Sequence, residues 1–340
     1  MLKCGLLGEK LGHSYSRQMH AMRADDEYRL FENSPRELED CLKSGEFDGL
    51  NVTIPYKKSV MPYCAELSPT AAQIGSVNTI VRRSDGSLYG DNTDAFGFEN
   101  LIVHNGIEVK GKKALVLGTG GASVTAQAVL KNLGASEVVV ISRKGEDNYE
   151  NIVKHADAEI IANTTPVGMY PNNGSCLLDL YAYPKLEAVL DCVYNPFRTE
   201  FLLRAEELGV PAYCGFEMLV AQAVYAAEHF TGQKLPEAVI ADTNRKLKRD
   251  LSNVAIIGMP GCGKSAVLGR MEARGISVWG ADRAVAEQYQ PGADGWHLMG
   301  HRWGDAFFYD DGRVDRAKLT KLLAETPGMR RELERMIHPL

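Results

Sequence analysis

Apolar and polar positions along the chain alternate between two periods. Residues 113–117, Lys-Ala-Leu-Val-Leu, form a short apolar run, the pattern of a strand buried on both faces. Gly118-Thr119-Gly120-Gly121-Ala122 follows at once, and then Ala126, Val129, Leu130 and Leu133 recur at helical spacing up to Gly134, a helix stop. A second apolar run over 137–141 closes a βαβ unit. Strand patterns recur over 158–162, 188–191 and 210–213. An amphipathic helix is expected over 199–208 and a largely apolar one over 218–230, ended by Gly232.

Upstream, residues 2–7 read as a strand ending at Gly8. The polar loop His13-Ser14-Tyr15-Ser16 then leads into a helix through His20. Ser34-Pro35-Arg36-Glu37 is a capping box with Pro at the first helical position, opening a helix to about Lys43. A strand over 48–52 runs into Thr53-Ile54-Pro55-Tyr56-Lys57. Residues 78–83 and 87–90 flank Asp85-Gly86, a turn dipeptide, and are expected to pair as a hairpin. This mixed pattern precedes the βαβ unit and does not fit simply into its sheet order, so a separate substrate domain is the economical reading. The divisions are 1–104, completed by a helix over 218–240; 105–217; a charged stretch from Asp242 to Asp250 within a linker, or an exposed helix end, at 241–252; and 253–340. The last part restarts with a strand over 254–257 and Gly258-Met259-Pro260-Gly261-Cys262-Gly263-Lys264-Ser265, a complete G-x-x-x-x-G-K-S.

Composition narrows the class. A chain of 340 residues suits two or three domains, and 45% hydrophobic with 24% charged residues is ordinary for a globular protein. A net charge of −6 argues against a general nucleic-acid or membrane-surface partner. The N-terminus carries no signal-peptide pattern, and no apolar run reaches transmembrane length. The seven cysteines are dispersed with no C-x-x-C, which reads as reduced thiols in the cytoplasm, with no zinc-ligand spacing. Nothing in the sequence sets an oligomeric state.

The glycine turn carries chemistry because of its context. Gly118 permits the tight turn, Gly120 lets a pyrophosphate approach the backbone, and the following helix N-terminus offers unpaired N–H groups. The third small position is Ser123. At the end of the second strand stands Ser142-Arg143-Lys144, where an NAD site would carry an acid for the ribose 2′-hydroxyl. A carboxylate would repel a 2′-phosphate and a guanidinium pairs with it, so the cofactor expected is NADP(H). The competing reading is a solvated turn. In the first domain, Ser14 and Ser16 could aim two hydroxyls at a carboxylate or merely cap a helix. Lys57, after a Pro-fixed turn, could supply a cation or proton or be a surface lysine like Lys58. Asp91-Asn92-Thr93-Asp94 could be turn chemistry alone. Spacing does not choose among these.

Motifs in collinear order over about the first 240 residues resemble shikimate dehydrogenase. They are Ser14-Tyr15-Ser16 with His20; Asn51-Val52-Thr53-Ile54-Pro55-Tyr56-Lys57; Gly75-Ser76-Val77-Asn78-Thr79; and Gly90-Asp91-Asn92-Thr93-Asp94. In the second domain they are the turn from Gly118 to Ala122; Ser142-Arg143-Lys144; Asn163-Thr164-Thr165-Pro166-Val167-Gly168-Met169; the Asp191 to Thr199 stretch with Tyr194-Asn195-Pro196; and the Gly215 to Ala223 stretch with Met218 and Gln222. The resemblance implies an α/β protein: an N-terminal α/β substrate domain plus a Rossmann-type NADP-binding domain, with a partial P-loop α/β domain after them. It implies reversible NADP-dependent reduction of 3-dehydroshikimate to shikimate, on the route to chorismate and the aromatic amino acids. Lys57 and Asp94 would be catalytic. Ser14, Ser16, Thr53, Asn78, Tyr194 and Gln222 would bind substrate. Gly118, Gly120, Gly121, Ala122, Ser142, Arg143, Lys144, Thr164, Met169 and Gly215 would bind cofactor. The alternative within the class is a quinate/shikimate dehydrogenase of broader range. Arg17, Ala21 and Val124 depart from the family pattern and touch no catalytic position.

The P-loop wording around Gly258, Gly263, Lys264 and Ser265 is similar to shikimate kinase. Ala281-Asp282-Arg283, Trp303-Gly304, the Asp311 to Arg316 stretch and His338-Pro339 resemble dephospho-coenzyme A kinase. ATP with Mg²⁺ is the ligand this implies. Gly280 stands where that family has an acid, and the sequence stops about 88 residues after the linker, short of a lid and an adenine site. The expectation is a nucleotide-binding or vestigial segment rather than a working kinase, with a bifunctional protein as the alternative.

Overall fold

The structure is a computed structural model that describes residues 2–11, 19, 27–236, 238–252, 254–326 and 328–340. The chain forms two compact units, Met1–Ser252 and Asn253–Leu340.

The first unit holds two sheets. One contains β1 (Lys3–Gly8), β2 (Glu27–Glu32), β3 (Gly49–Val52), β4 (Glu66–Leu67), β5 (Thr79–Arg82) and β6 (Leu88–Asp91), in the order β2-β1-β3-β5-β6-β4. β1 runs parallel to β2 and β3, whereas β5 is antiparallel to both β3 and β6. The hairpin expected around Asp85-Gly86 forms, with Arg82 opposite Leu88. Helix α1 (Leu38–Lys43) starts at Leu38, three residues later than expected. Glu37 does reach back to the Ser34 N–H (2.8 Å), but the Glu37 N–H bonds the Ser34 carbonyl (3.0 Å), which closes a turn ahead of the helix. Ser68 caps α2 (Pro69–Ile74), and α3 (Thr93–His104) follows β6 directly.

The other sheet is fully parallel. It comprises β7 (Lys113–Leu117), β8 (Glu137–Ile141), β9 (Ile160–Asn163), β10 (Ala188–Asp191) and β11 (Ala212–Cys214), ordered β11-β10-β9-β7-β8. α4 (Gly121–Asn132) and α5 (Glu200–Glu207) are among its crossovers. Strand order reverses at β7, which places a crevice beyond the carboxyl ends of β7 and β9, where ligands of such sheets bind.

α6 (Phe216–Thr231) crosses back and packs along α3. Gly97 makes this possible, because a Cβ there would sit 2.5 Å from the Met218 carbonyl oxygen. As its apolar pattern predicts, the helix ends at Gly232, left-handed at φ +67°, so residues 233–240, grouped with it in the division of the chain, are not part of it. Of the two readings of the charged stretch from Asp242 to Asp250, linker or exposed helix end, the structure has the helical one: it lies in a further helix, α7 (Ala238–Leu251). Val239, Ile240, Thr243, Leu247 and Leu251 recur at helical spacing, and buried Leu247 joins Phe216, Val220 and Val224 of α6 in one apolar cluster. The charges occupy the opposite face.

The second unit packs α8 (Lys264–Glu272), α9 (Ala281–Gln288), α10 (Asp294–Trp303), α11 (Arg316–Glu325) and α12 (Met329–Ile337). Its core is Met299, Phe307, Val314, Leu319, Met329, Leu333 and Ile337. The strand expected over 254–257 is not formed. No strand stands beside it among the described residues, and Ile257 is 89% exposed. An apolar run needs a paired neighbour to become a strand. Among the described residues no helix is long and apolar enough to cross a membrane.

Candidate active site

Loops beyond the carboxyl ends of β1, β3 and β6, with the first turns of α4 and α6, surround a cavity of about 660 Å³. The backbone of Lys57 is fixed by its neighbours: the Tyr56 N–H bonds the Thr53 carbonyl (3.0 Å), the Val77 N–H bonds the Lys57 carbonyl (2.8 Å), and the Tyr56 ring is buried. The Lys57 Nζ donates to Asp94 Oδ2 at 2.5 Å, and the two side chains keep 28% and 21% of their surface exposed. Asp94 lies in the first turn of α3, where the helix dipole favours a carboxylate.

Asp91 anchors that turn. Buried at the end of β6, its Oδ1 accepts from the Ser68 hydroxyl and the Asn92 N–H (2.7 Å), and its Oδ2 lies 2.8 Å from His229 Nε2. Burial pushes the Asp91 carboxyl up. The close contact with His229 and the bonds from Ser68 and Asn92 outweigh it and leave the group below the usual carboxylate range. Asn78 Oδ1 accepts from the Thr93 N–H (2.7 Å) and from the Thr79 and Thr93 hydroxyls (3.1 Å each). Its oxygen is therefore saturated, and the amide N–H₂ is what it has to offer a ligand. Gln222 donates to the Leu219 carbonyl (2.9 Å) and accepts from the Thr93 hydroxyl (3.4 Å).

Across the cavity, Asp191 closes β10. It accepts from the Thr199 hydroxyl (2.6 Å), the Val193 N–H (2.9 Å) and Asn163 Nδ2 (2.9 Å), with no cation beside it among the described residues. Burial pushes its carboxyl up to about 6 against those bonds. This network sets the turn carrying Cys192 and Tyr194, which line the cavity. Burial, with Asp191 and Asp94 nearby, pushes the Cys192 thiol up, so it stays protonated at neutral pH.

The nucleotide side fits a diphosphate. Gly118 is left-handed at φ +111°, and a Cβ there would meet Thr165 Cγ2 at 2.9 Å and Thr164 Oγ1 at 3.0 Å. Ser123 donates to the Gly118 carbonyl (2.6 Å), so the hydroxyl at the third small position ties the turn down. At Gly120 and Gly121 the space a Cβ would enter is open, and the first turn of α4 has N–H groups without helical partners. Arg143 and Lys144 are exposed just past β8 and form no ion pair among the described residues.

Thr53, Lys57, Asn78, Asp94, Ala122, Tyr194, Gly215 and Gln222 share the cavity wall. Gly118, Gly120, Gly121, Ser142, Arg143, Lys144, Thr164 and Met169 are off that wall. They lie in the turns that follow β7, β8 and β9, with Gly121 as the first residue of α4. Ser14, Ser16 and His20 lie outside the described residues. In the second unit, Gly261 and Gly263 are left-handed, and the Lys264 ammonium is folded onto the Gly258 (2.8 Å) and Met259 (2.9 Å) carbonyls, ahead of Ser265. Sequence reasoning missed Lys10, Asn51, Cys192 and Leu219 on the cavity wall, and His229 behind it. His229 had a signal: it stands seven residues after Gln222, two turns along one helical face.

Residues 6–80 match the family described as shikimate dehydrogenase substrate binding domain, 215–243 that of the shikimate 5′-dehydrogenase C-terminal domain, and 252–340 that of dephospho-CoA kinase. The chain is 37% identical over 281 residues to the NADP(+) shikimate dehydrogenase of Halothermothrix orenii, covering 72% of this chain and 96% of the relative. It is 36% identical over 265 residues to the one from Clostridium perfringens, covering 72% and 97%. Among solved structures, a chorismate mutase/shikimate 5-dehydrogenase fusion protein from Clostridium acetobutylicum superposes with a TM-score of 0.69 at 34% identity, over 74% of this chain and 98% of that one. The Thermus thermophilus shikimate 5-dehydrogenase in complex with NADP(H) and shikimate gives 0.65 at 30% identity, over 72% and 99%.

Proposed function

The chain belongs to the shikimate dehydrogenase family, and from that premise we propose that Lys57 and Asp94 are the catalytic pair of an NADP-dependent, reversible reduction of 3-dehydroshikimate to shikimate. The observation that carries the assignment is the 2.5 Å ion pair, held on one wall of a cavity whose other wall includes Ala122 of the phosphate turn. The NADP(+) shikimate dehydrogenases are 36–37% identical to the chain and a solved quinate dehydrogenase from Corynebacterium glutamicum 27%, so the broader-range alternative is not favoured.

NADPH, when bound, supplies the hydride for the ring carbonyl carbon. Negative charge then grows on the carbonyl oxygen, and the Lys57 ammonium stabilises that charge and delivers the proton. Asp94 holds the ammonium in place and accepts from a neighbouring ring hydroxyl. Thr53, Tyr194, the Asn78 amide and Gln222 bind the remaining substrate oxygens, together with Ser14 and Ser16. Gly118, Gly120, Gly121 and Ala122 hold the diphosphate, and Ser142, Arg143 and Lys144 the 2′-phosphate. Thr164, Met169 and Gly215 complete the cofactor's bed. The sheet β1–β6, completed by α6, is the substrate half, and the sheet β7–β11 is the cofactor half.

Seven free cysteines support a reducing, cytoplasmic setting. The second unit would hold nucleotide phosphates on the backbone from Gly258 to Gly263, with Lys264 leaving its carbonyls and Ser265 facing Mg²⁺. Gly280 caps α9 without a carboxylate, which supports binding without phosphoryl transfer.

The test is NADPH oxidation with 3-dehydroshikimate, run beside NADH. Lys57→Ala should lower kcat by roughly 10²–10⁴-fold with little change in KM. Wild-type turnover in that variant would refute the assignment.

A further inference from the structure

The charged side chains on the cavity wall are Lys10, Lys57 and Asp94. Lys57 and Asp94 compensate each other at 2.5 Å. Lys10 is left over, and it has no acidic partner among the described residues. Its backbone is held on both sides. Gly8 ends β1, and the Leu11 N–H donates to Glu32 Oε1 at 2.7 Å with Leu11 itself buried. Among the described residues, the Lys10 ammonium is thus the cationic group of the cavity wall that forms no ion pair.

Sheet order says where that charge stands. Reading across β1-β3-β5-β6, the strand ends present Lys10, then Thr53 and Lys57, then Asn78, then Asp94. Lys10 follows β1 and Asp94 follows β6, with β3 and β5 between them, and the Lys57 ammonium is drawn onto Asp94, so Lys10 stands on the β1 side of the ion pair. A ring whose carbonyl meets Lys57 and whose adjoining hydroxyl meets Asp94 extends its opposite substituent toward β1. In 3-dehydroshikimate and shikimate that substituent is the carboxylate, the single charge on the molecule.

We propose that Lys10 is a specificity-determining residue of this enzyme, its ammonium pairing with the substrate carboxylate at the β1 end of the cavity. The inference rests on the shikimate dehydrogenase reading and adds to it a charged partner for the acid, beside the neutral hydroxyl and amide groups already assigned. An ammonium at that end selects an anionic ring over a neutral analogue of the same shape. The pairing exists in the ground and transition states alike, so it acts on KM rather than on kcat.

The test compares Lys10→Gln, Lys10→Arg and wild type in shikimate oxidation with NADP⁺. Shikimate methyl ester is measured alongside as an alternative substrate or competitive inhibitor. Wild-type turnover of shikimate is read first and decides the parent reading by itself. Lys10→Gln should raise the shikimate KM about tenfold, keep kcat within twofold, and leave the ester constant and the NADP⁺ KM unchanged. Lys10→Arg should recover most of the loss. Lys10 is exposed, so neither variant disturbs the core. An unchanged shikimate KM would overturn the proposal, as would a KM rise shared equally by the ester or by NADP⁺.

Discussion

Asp191→Asn isolates the electrostatic cost of a buried carboxylate that has hydrogen bonds but no counter-charge. In the folded chain the group titrates near 6, against an ordinary 3.8. A carboxyl whose folded pKa is raised stabilises the fold in its protonated form, and that contribution is lost as pH rises from about 4 through 6. The shift of about two units corresponds to about 3 kcal/mol. The asparagine has no such titration. Its oxygen can keep the bonds from the Val193 N–H and Asn163, while its amide faces a Thr199 hydroxyl that must turn away, a loss of ~1 kcal/mol. Relative to wild type, the variant should therefore be slightly less stable at pH 4 and gain about 3 kcal/mol on that baseline by pH 7. Urea unfolding followed by far-UV circular dichroism at several pH values measures this. Trp279, Trp296 and Trp303 are the chain's three tryptophans, and all lie in the second unit, so their emission provides an internal control that should not move. Wild-type and variant curves that run parallel from pH 4 to 7 would refute the reasoning.

Arg143→Ala should raise the KM for NADPH by about tenfold or more and leave NADH nearly unaffected, because the guanidinium serves only the 2′-phosphate; an equal loss with both cofactors would make Arg143 structural. Removing residues 253–340 should leave the dehydrogenase kcat/KM unchanged, whereas Leu247→Ala within α7 should destabilise the first unit by about 2–5 kcal/mol, read as a lower Tm; a neutral Leu247→Ala would mean that α7 is only loosely attached.

The nucleotide half was legible in the sequence because its signals are local. A glycine turn between an apolar run and a helical period, followed by Ser142-Arg143-Lys144, lies within one βαβ unit. The pairing of Lys57 with Asp94 was not legible from spacing, since it joins residues 37 apart through the order of β3, β5 and β6. Only the family resemblance brought them together. α7 stayed open between a linker and an exposed helix end because charge dominates its composition, and the apolar stripe that includes Leu247 becomes meaningful only with α6 to receive it. The missing strand over 254–257 is the converse case: local propensity was right for a strand, and no partner strand stands beside it among the described residues.

The side-by-side packing of α3 and α6 bears on how such a chain could be recombined. The polypeptide leaves the substrate half at the end of α3 and re-enters it at the start of α6, where Glu217 is met by His104 (2.5 Å), Asn105 (3.1 Å) and Asn100 (3.4 Å). The whole of β7 to β11 is thus an insert whose two ends are stapled to one another by a single glutamate. An insert with adjacent ends can be exchanged for another of different length or cofactor preference without stretching its host. Glu217 and its three partners mark where a graft would be cut and sewn.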